Sequence, residues 1–257
     1  MPRKEFTVAD RTRSQNHLSD RLIILSCEGV ITEEEYFNIL SDCIFVDIQS
    51  KIKIRSVREN YLKSDHKTKE ERDYQNRSSP KQILDRMNTC LEQEIQRRKQ
   101  DECWLVMDID DHTSPQKIAE WESVLSKCKE NGYQVAISNP FFEFWLYLHH
   151  LPVQDEDHQH CVSEEHPYCS NEYFTTKLQE HGVSFRGRKK KPLLKDYNYE
   201  NLQAAVQRAK ELERSGEEYP KNHLGSTVYK IVEKLIEMKN QIEQPITESY
   251  ENEIDSQ

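Results

Sequence analysis

The stretch Trp104-Leu105-Val106-Met107-Asp108-Ile109-Asp110-Asp111-His112 constrains this chain more than any other. Four apolar residues run directly into acids, the pattern of a buried strand that delivers carboxylates to its C-terminal end. In open α/β sheets, ligands bind outside that end. Asp108 and Asp110, spaced i, i+2, point to one side of an extended chain and can share a hard cation. An isolated run of this kind also describes a solvated acidic turn. A functional reading therefore needs a second acid placed in the same way.

That acid lies upstream. Leu22-Ile23-Ile24-Leu25-Ser26-Cys27-Glu28-Gly29 is another apolar run ending in an acid, followed by Thr32-Glu33-Glu34-Glu35-Tyr36-Phe37. Thr32 with Glu35 three residues on predicts a capping box, and acids in a first helical turn suit the helix dipole. The reading is strand, tight turn, helix, with Glu28 at the turn. Ile44-Phe45-Val46 and the alternation through Ile48, Ile52 and Ile54 predict one further strand or two. Residues 58–79 are nearly all polar and read as an exposed loop. Pro80 opens a helix with Ile83, Leu84, Met87, Leu91 and Ile95 at helical spacing. After the acidic strand, Ser114-Pro115 supplies an N-cap and first turn for a helix ended by Asn131-Gly132. A short strand over 133–137 then leads into a Ser138-Asn139 turn.

Strands separated by helices of this length indicate crossover units and a largely parallel sheet. In such a sheet the strand ends lie on one edge. Glu28, the acids at 108, 110 and 111, and Ser138-Asn139 therefore converge. His112 beside the acids reads either as a proton shuttle or as a turn residue.

Beyond Leu151 the character changes. His158, His160, Cys161, His166 and Cys169 are residue types that suit zinc, but their spacing fits no zinc template, so a structural Zn2+ is the lesser reading. Arg186, Arg188, Lys189, Lys190 and Lys191 form a basic run that reads as a solvated loop or a nucleic-acid-binding segment. Helices are expected from 171 to about 180, from 199 to 214 and from Ser226 or Thr227 through 238. The division is a polar arm at 1–20, an α/β unit at 21–150, a helical region with the basic loop at 151–240, and a loose acidic tail at 241–257.

The chain is 32% charged with a formal net charge of −10, which argues against a protein that simply coats nucleic acid. It leaves open an enzyme with a local basic field. Seven cysteines, an odd number lying mostly in apolar segments, suit reduced thiols better than a disulfide framework. No apolar run approaches the roughly 20 residues that span a bilayer, and the N-terminus lacks the apolar core of a secretory signal. A cytoplasmic protein is expected.

Four stretches together resemble the RloB-like family of bacterial proteins. They are Ser26-Cys27-Glu28-Gly29 with Thr32-Glu33 and Tyr36-Phe37; Trp104 to His112; Ile137-Ser138-Asn139-Pro140 with Phe142-Glu143, Trp145 and His149; and Gly225-Ser226-Thr227-Val228-Tyr229. The resemblance implies an α/β Toprim-like, mostly parallel sheet flanked by helices, with a helical C-terminal extension. It implies that Glu28, Asp108 and Asp110 hold Mg2+ or Mn2+, with Glu143 a fourth catalytic residue and Glu33, Asn139 and His149 as neighbours. Glu33 reads either as a site residue or, the slightly preferred reading, as only a first-turn helix acid. The implied activity is a metal-dependent nuclease acting on RNA, including transfer RNA, or on DNA in defence against phage, with an ATPase partner. A catalytically weak adaptor subunit of such an ATPase is the alternative, and a homo-oligomer stays open.

Overall fold

The computed structural model describes residues 21–29, 31–49, 52–57, 79–93, 97–109, 115–161, 170–187 and 191–243. Its centre is a five-stranded sheet in the order β2-β1-β3-β4-β7. The first four of these strands are β1 (Arg21–Cys27), β2 (Ile52–Ser56), β3 (Glu102–Asp108) and β4 (Gln134–Asn139). They run parallel, β2 and β3 pairing on either side of β1 and β4 pairing with β3. The two-residue β7 (Gly225–Ser226) adds antiparallel to the end of β4. A mixed α/β chain with a mostly parallel sheet is what the acid-ended apolar runs imply.

Because side chains alternate along a strand, each strand feeds two cores. Cys103, Leu105 and Met107 of β3 join Leu22, Ile24 and Ile137 beneath α2 (Pro80–Gln93) and α3 (Pro115–Asn131). Trp104 and Val106 face the opposite side with Ile23, Leu25, Cys27 and Ala136. That side is covered by α1 (Thr32–Ile39), α4 (Phe142–His150), α6 (Asn171–Glu180), α7 (Tyr199–Glu211) and α8 (Tyr229–Glu243). Asp108 continues the alternation of Trp104 and Val106, so its carboxyl belongs to the α1/α4 side of the sheet. The remaining helix, α5 (Asp155–Cys161), lies between α4 and α6 in sequence.

Several local expectations are corrected. Residues 44–48 do not form a strand: α1 runs into a π-helical turn at Leu40–Ile44 and a 3-10 turn at Val46–Ile48, leaving only Ile52–Ser56 extended. The apolar residues there serve a helical face, with Phe45 and Ile48 both 2% exposed, and short apolar runs do not separate the two periods. The capping box is absent as well. The helix N-cap is Ile31 and makes no side-chain cap bond, because Thr32 is already the first helical residue. Ser138-Asn139 is the end of β4 rather than a turn.

The basic segment is a small hairpin, with β5 (Phe185–Arg186) antiparallel to β6 (Lys191–Pro192) and Gly187 at positive φ beside it. Cys27, Cys43, Cys90, Cys103 and Cys128 form no disulfide, as expected of reduced thiols. Cys161 is disulfide-bonded, contrary to that expectation. Among the described residues no helix is long and apolar enough to cross a membrane.

Candidate active site

Glu28 follows directly on β1. Its N–H donates to Val106 O at 2.8 Å, which continues the sheet ladder one residue past the strand. Its Oε2 accepts the Asp108 N–H at 3.0 Å. The carboxylate of one strand end is thereby fixed on the backbone of the neighbouring strand end. The next residue, Gly29, donates its N–H to Glu33 Oε1 at 2.8 Å. Glu33 is thus both a first-turn acid of α1 and a carboxyl folded back onto the strand end, 5% exposed. The first-turn helix position is the one the sequence offered for Glu33.

Asp108 accepts a hydrogen bond from the N–H of Phe142, the first residue of α4, and Glu143 is the second. Two helix N-termini, those of α1 and α4, thus carry carboxyls to one place, and their positive ends favour the ionised forms. Burial and mutual repulsion oppose ionisation. Burial raises the Asp108 carboxyl well above the usual carboxylate range, and Glu28, Glu33 and Glu143 raise it further. Glu33 is pushed up to about 7, by burial first and by the charge of Glu143 as well, against the hydrogen bond from Gly29 and the guanidinium of Arg86. Glu28, Asp108 and Glu143 keep part of their surface open to solvent.

Arg86 was not expected from the sequence. It is 8% exposed on α2, and its Nη2 donates to Cys27 O at 2.6 Å, which sets a cation behind the end of β1. A signal was available: Arg86 lies next to Met87 and three residues after Ile83, so it interrupts the apolar stripe of α2.

Four carboxyls in one mutual field are met by protons or by a cation. The donors are all hard oxygens, which suits Mg2+ or Mn2+ better than zinc. Among the described residues no group of three or more His, Cys, Asp or Glu side chains is placed to hold a metal ion. Asp110, the partner of Asp108 in the D-x-D pair, lies outside the described residues, as do Asp111 and His112.

The other expected neighbours have structural duties. Asn139 Nδ2 donates to Pro220 O at 3.3 Å and Lys221 O at 3.1 Å, clamping the end of β4 to the segment before β7. Beside it, Ser138 and Ser226 hydroxyls bond at 2.9 Å, and Thr227 Oγ1 accepts the Ile137 N–H at 2.8 Å. These bonds tie the Ser138-Asn139 and Gly225-Ser226-Thr227 motifs to each other in the fold.

His149 sits at the far end of α4, behind the acids. Its Nδ1 lies 3.0 Å from Trp145 O, an acceptor, so Nδ1 carries the proton. Nε2 is then the acceptor for the Tyr36 hydroxyl at 3.1 Å. Burial lowers the His149 pKa to about 3, so the ring is a neutral link between α1 and α4.

Of the basic run, Arg186 and Lys191 are described, and Arg188, Lys189 and Lys190 lie outside the described residues. Lys191 Nζ is 3.4 Å from Glu35 Oε2, so the hairpin rests on α1, the helix that brings Glu33 to the cluster. Of the zinc-type residues, His158 is exposed and His160 stacks on Tyr173 at 4.1 Å. The disulfide at Cys161 withholds its thiolate from any metal, and His166 and Cys169 lie outside the described residues.

A family model described as RloB-like protein matches residues 23–235 of the chain. No curated protein and no solved structure matches it.

Proposed function

The chain belongs to the RloB-like protein family, and from that premise we propose that it is a Mg2+- or Mn2+-dependent nuclease with a Toprim-like acidic site. One observation carries the reading. Carboxyls from two adjacent strand ends and two helix N-termini converge, Glu28 Oε2 accepting the Asp108 N–H at 3.0 Å and Glu33 Oε1 the Gly29 N–H at 2.8 Å, while burial first and mutual repulsion second push Glu33 up to about 7 and Asp108 well above its usual range. A purely structural sheet edge gains nothing from repulsion of this kind, whereas a cation site uses it.

Glu28 and Asp108, together with Asp110, would hold the cation. When bound, it supplies Lewis acidity toward a phosphoryl oxygen. Glu143, partly exposed at the start of α4, faces the same space. Glu33 changes protonation near neutral pH, so it is suited to take the proton lost by a water that adds to phosphorus as the bond to the leaving oxygen breaks. The Arg186–Lys191 hairpin beside α1 offers cations to a polyanionic backbone next to a site that would otherwise repel it. The substrate class is RNA, including transfer RNA, or DNA, and the setting is phage defence with an ATPase partner.

The test is cleavage of total RNA and of DNA in Mg2+, by the protein alone and with its ATPase partner, beside Glu28→Ala and Asp108→Ala. Cleavage abolished by both substitutions is expected. Cleavage that survives both would sink the site, and no cleavage in any arm would leave the adaptor role.

A further inference from the structure

Tyr219, Pro220 and Lys221 lie in the irregular segment between α7 and β7, yet their backbone is firmly held. The buried Asn139, at the end of β4, gives its side-chain amide to the carbonyls of Pro220 and Lys221. Pro220 lies against Gly225 of β7. The Tyr219 ring packs against the core beneath α3, 6.1 Å from the ring of Trp121. The clamp also sets this segment beside the acids. Asp108 pairs in register with Ser138, and the Ile109 N–H donates to Ser138 O at 2.8 Å, one residue before Asn139. The segment thus stands one strand over from Asp108, at the same edge of the sheet. The basic hairpin rests on α1, which packs against β2, and so lies on the opposite flank of the acids.

Lys221 differs from the other lysines placed like it. It is exposed, and its Nζ lies over the Tyr219 ring, 5.1 Å from the centroid. Lys177, Lys210, Lys230 and Lys234 also lie over aromatic rings, and each of them pairs with a carboxylate as well. Lys221 makes no ion pair among the described residues. The chain carries a net charge of −10, and this lysine stands at an edge where carboxyls gather. A cation left without a carboxylate there is available to an anion from outside. Its place over the ring also means that this face of Tyr219 is open to solvent rather than packed into the core.

We propose that Tyr219 and Lys221 receive single-stranded nucleic acid on the β4 flank of the site, a base stacking on the Tyr219 ring while the Lys221 ammonium moves from the ring to a backbone phosphate. The inference rests on the nuclease reading given above and narrows its substrate. A base within a duplex has both faces covered by its neighbours, whereas an unpaired base can be splayed onto an aromatic side chain. Stacking of this kind is tolerant of sequence, and the ammonium adds a contact to the backbone that is equally tolerant. The strand is then held by the hairpin on one flank and by Lys221 on the other, and it crosses the acids between them. The fixed backbone of residues 219–221 means that little ordering is needed when the strand arrives.

Fluorescence anisotropy on the full chain tests this, with short labelled single strands of RNA and of DNA, the matching duplexes and a salt series, in EDTA to prevent cutting. The proteins are wild type, Tyr219→Leu, Tyr219→Phe and Lys221→Ala. Tyr219→Leu is expected to bind single strands roughly tenfold more weakly and duplexes as wild type does, and Tyr219→Phe to bind both as wild type does. Lys221→Ala is expected to reduce the slope of log affinity against log salt by about 0.7 on single strands. Should Tyr219→Leu melt too low to assay, Lys221→Ala, an exposed change, decides by its slope. Where wild type binds single strands and cuts, an unchanged single-strand affinity in Tyr219→Leu or an unchanged slope in Lys221→Ala overturns the inference and leaves the nuclease reading standing. Equal losses on strand and duplex in Tyr219→Leu also overturn it, because the ring is then not stacking an unpaired base. Wild type that binds neither strand nor duplex, in EDTA or Mg2+, alone or with its ATPase partner, removes both the inference and the nuclease reading.

Discussion

A Cβ added at Gly29 would lie 2.0 Å from Glu33 Oε2, so the absence of a side chain at residue 29 is what lets Glu33 fold back onto the strand end. The obstructing atom is the tip of a flexible side chain, which can move away at small cost. Gly29→Ala is therefore expected to fold with nearly wild-type stability but to lose cleavage activity, as measured by melting and nuclease assay on one preparation. Glu33 itself sets a pH signature. Its carboxyl is pushed up from 4.5 to about 7, so between those values the folded chain keeps a proton that the unfolded chain releases. Stability from this group thus falls as pH rises through that window, and the loss is complete above it. Glu33→Gln should be neutral near pH 4.5 and stabilising at pH 8 by about 2–3 kcal/mol. Urea denaturation at both pH values checks this, and equal effects at the two would contradict it.

At the scale of elements, the packing of α4, α5 and α6 turns on one buried acid. Asp157 is wholly buried and accepts hydrogen bonds from the hydroxyls of Tyr147 and Tyr173 at 2.9 and 2.8 Å, from Gln154 N at 2.8 Å and from Lys177 Nζ at 2.7 Å. Burial raises its pKa, and the bonds from Lys177 and the others more than offset that, so it is lowered overall and stays ionised. Asp157→Ala strands these donors and is expected to cost about 3 kcal/mol or more in chemical denaturation. Nothing in the sequence announced this acid, because it sits among exposed polar neighbours with no apolar period. The β-strands that matter were legible for the opposite reason. β1 and β3 are unbroken apolar runs that end in acids, and both the parallel sheet and the place of Glu28 and Asp108 follow from that pattern. The pairing of Glu33 with Gly29 and the place of the Arg86 guanidinium depend on which helix covers which face, and that is decided by tertiary packing. The two-residue β7 was unreadable as a strand, although its Gly225-Ser226-Thr227 residues were recognised as a motif. A Cβ at Gly225 would come within 2.8 Å of the Pro220 side chain, so the motif's glycine is needed for that close approach.

For the whole molecule, the balance of charge is what makes the account specific. A chain with net charge −10 gathers acids at one edge of the sheet and sets a basic hairpin against α1, beside them. Arg186→Glu with Lys191→Glu is expected to weaken nucleic-acid binding across sequences and to flatten its salt dependence by about one unit of slope per lost contact. Melting should be nearly unchanged, since Arg186 is exposed and the Lys191–Glu35 pair is 43% and 39% exposed. Fluorescence anisotropy over a salt series reads both quantities. The carboxyls at the ends of β1 and β3 are proposed as a cation-dependent phosphodiester site. The most direct test is the cleavage rate of end-labelled RNA in Mg2+ under whichever partner condition supports cutting, for wild type and for the isosteric Asp108→Asn. The expected result is activity that EDTA abolishes and Asp108→Asn reduces by about a hundredfold or more; a rate for Asp108→Asn within about twofold of wild type would contradict the account.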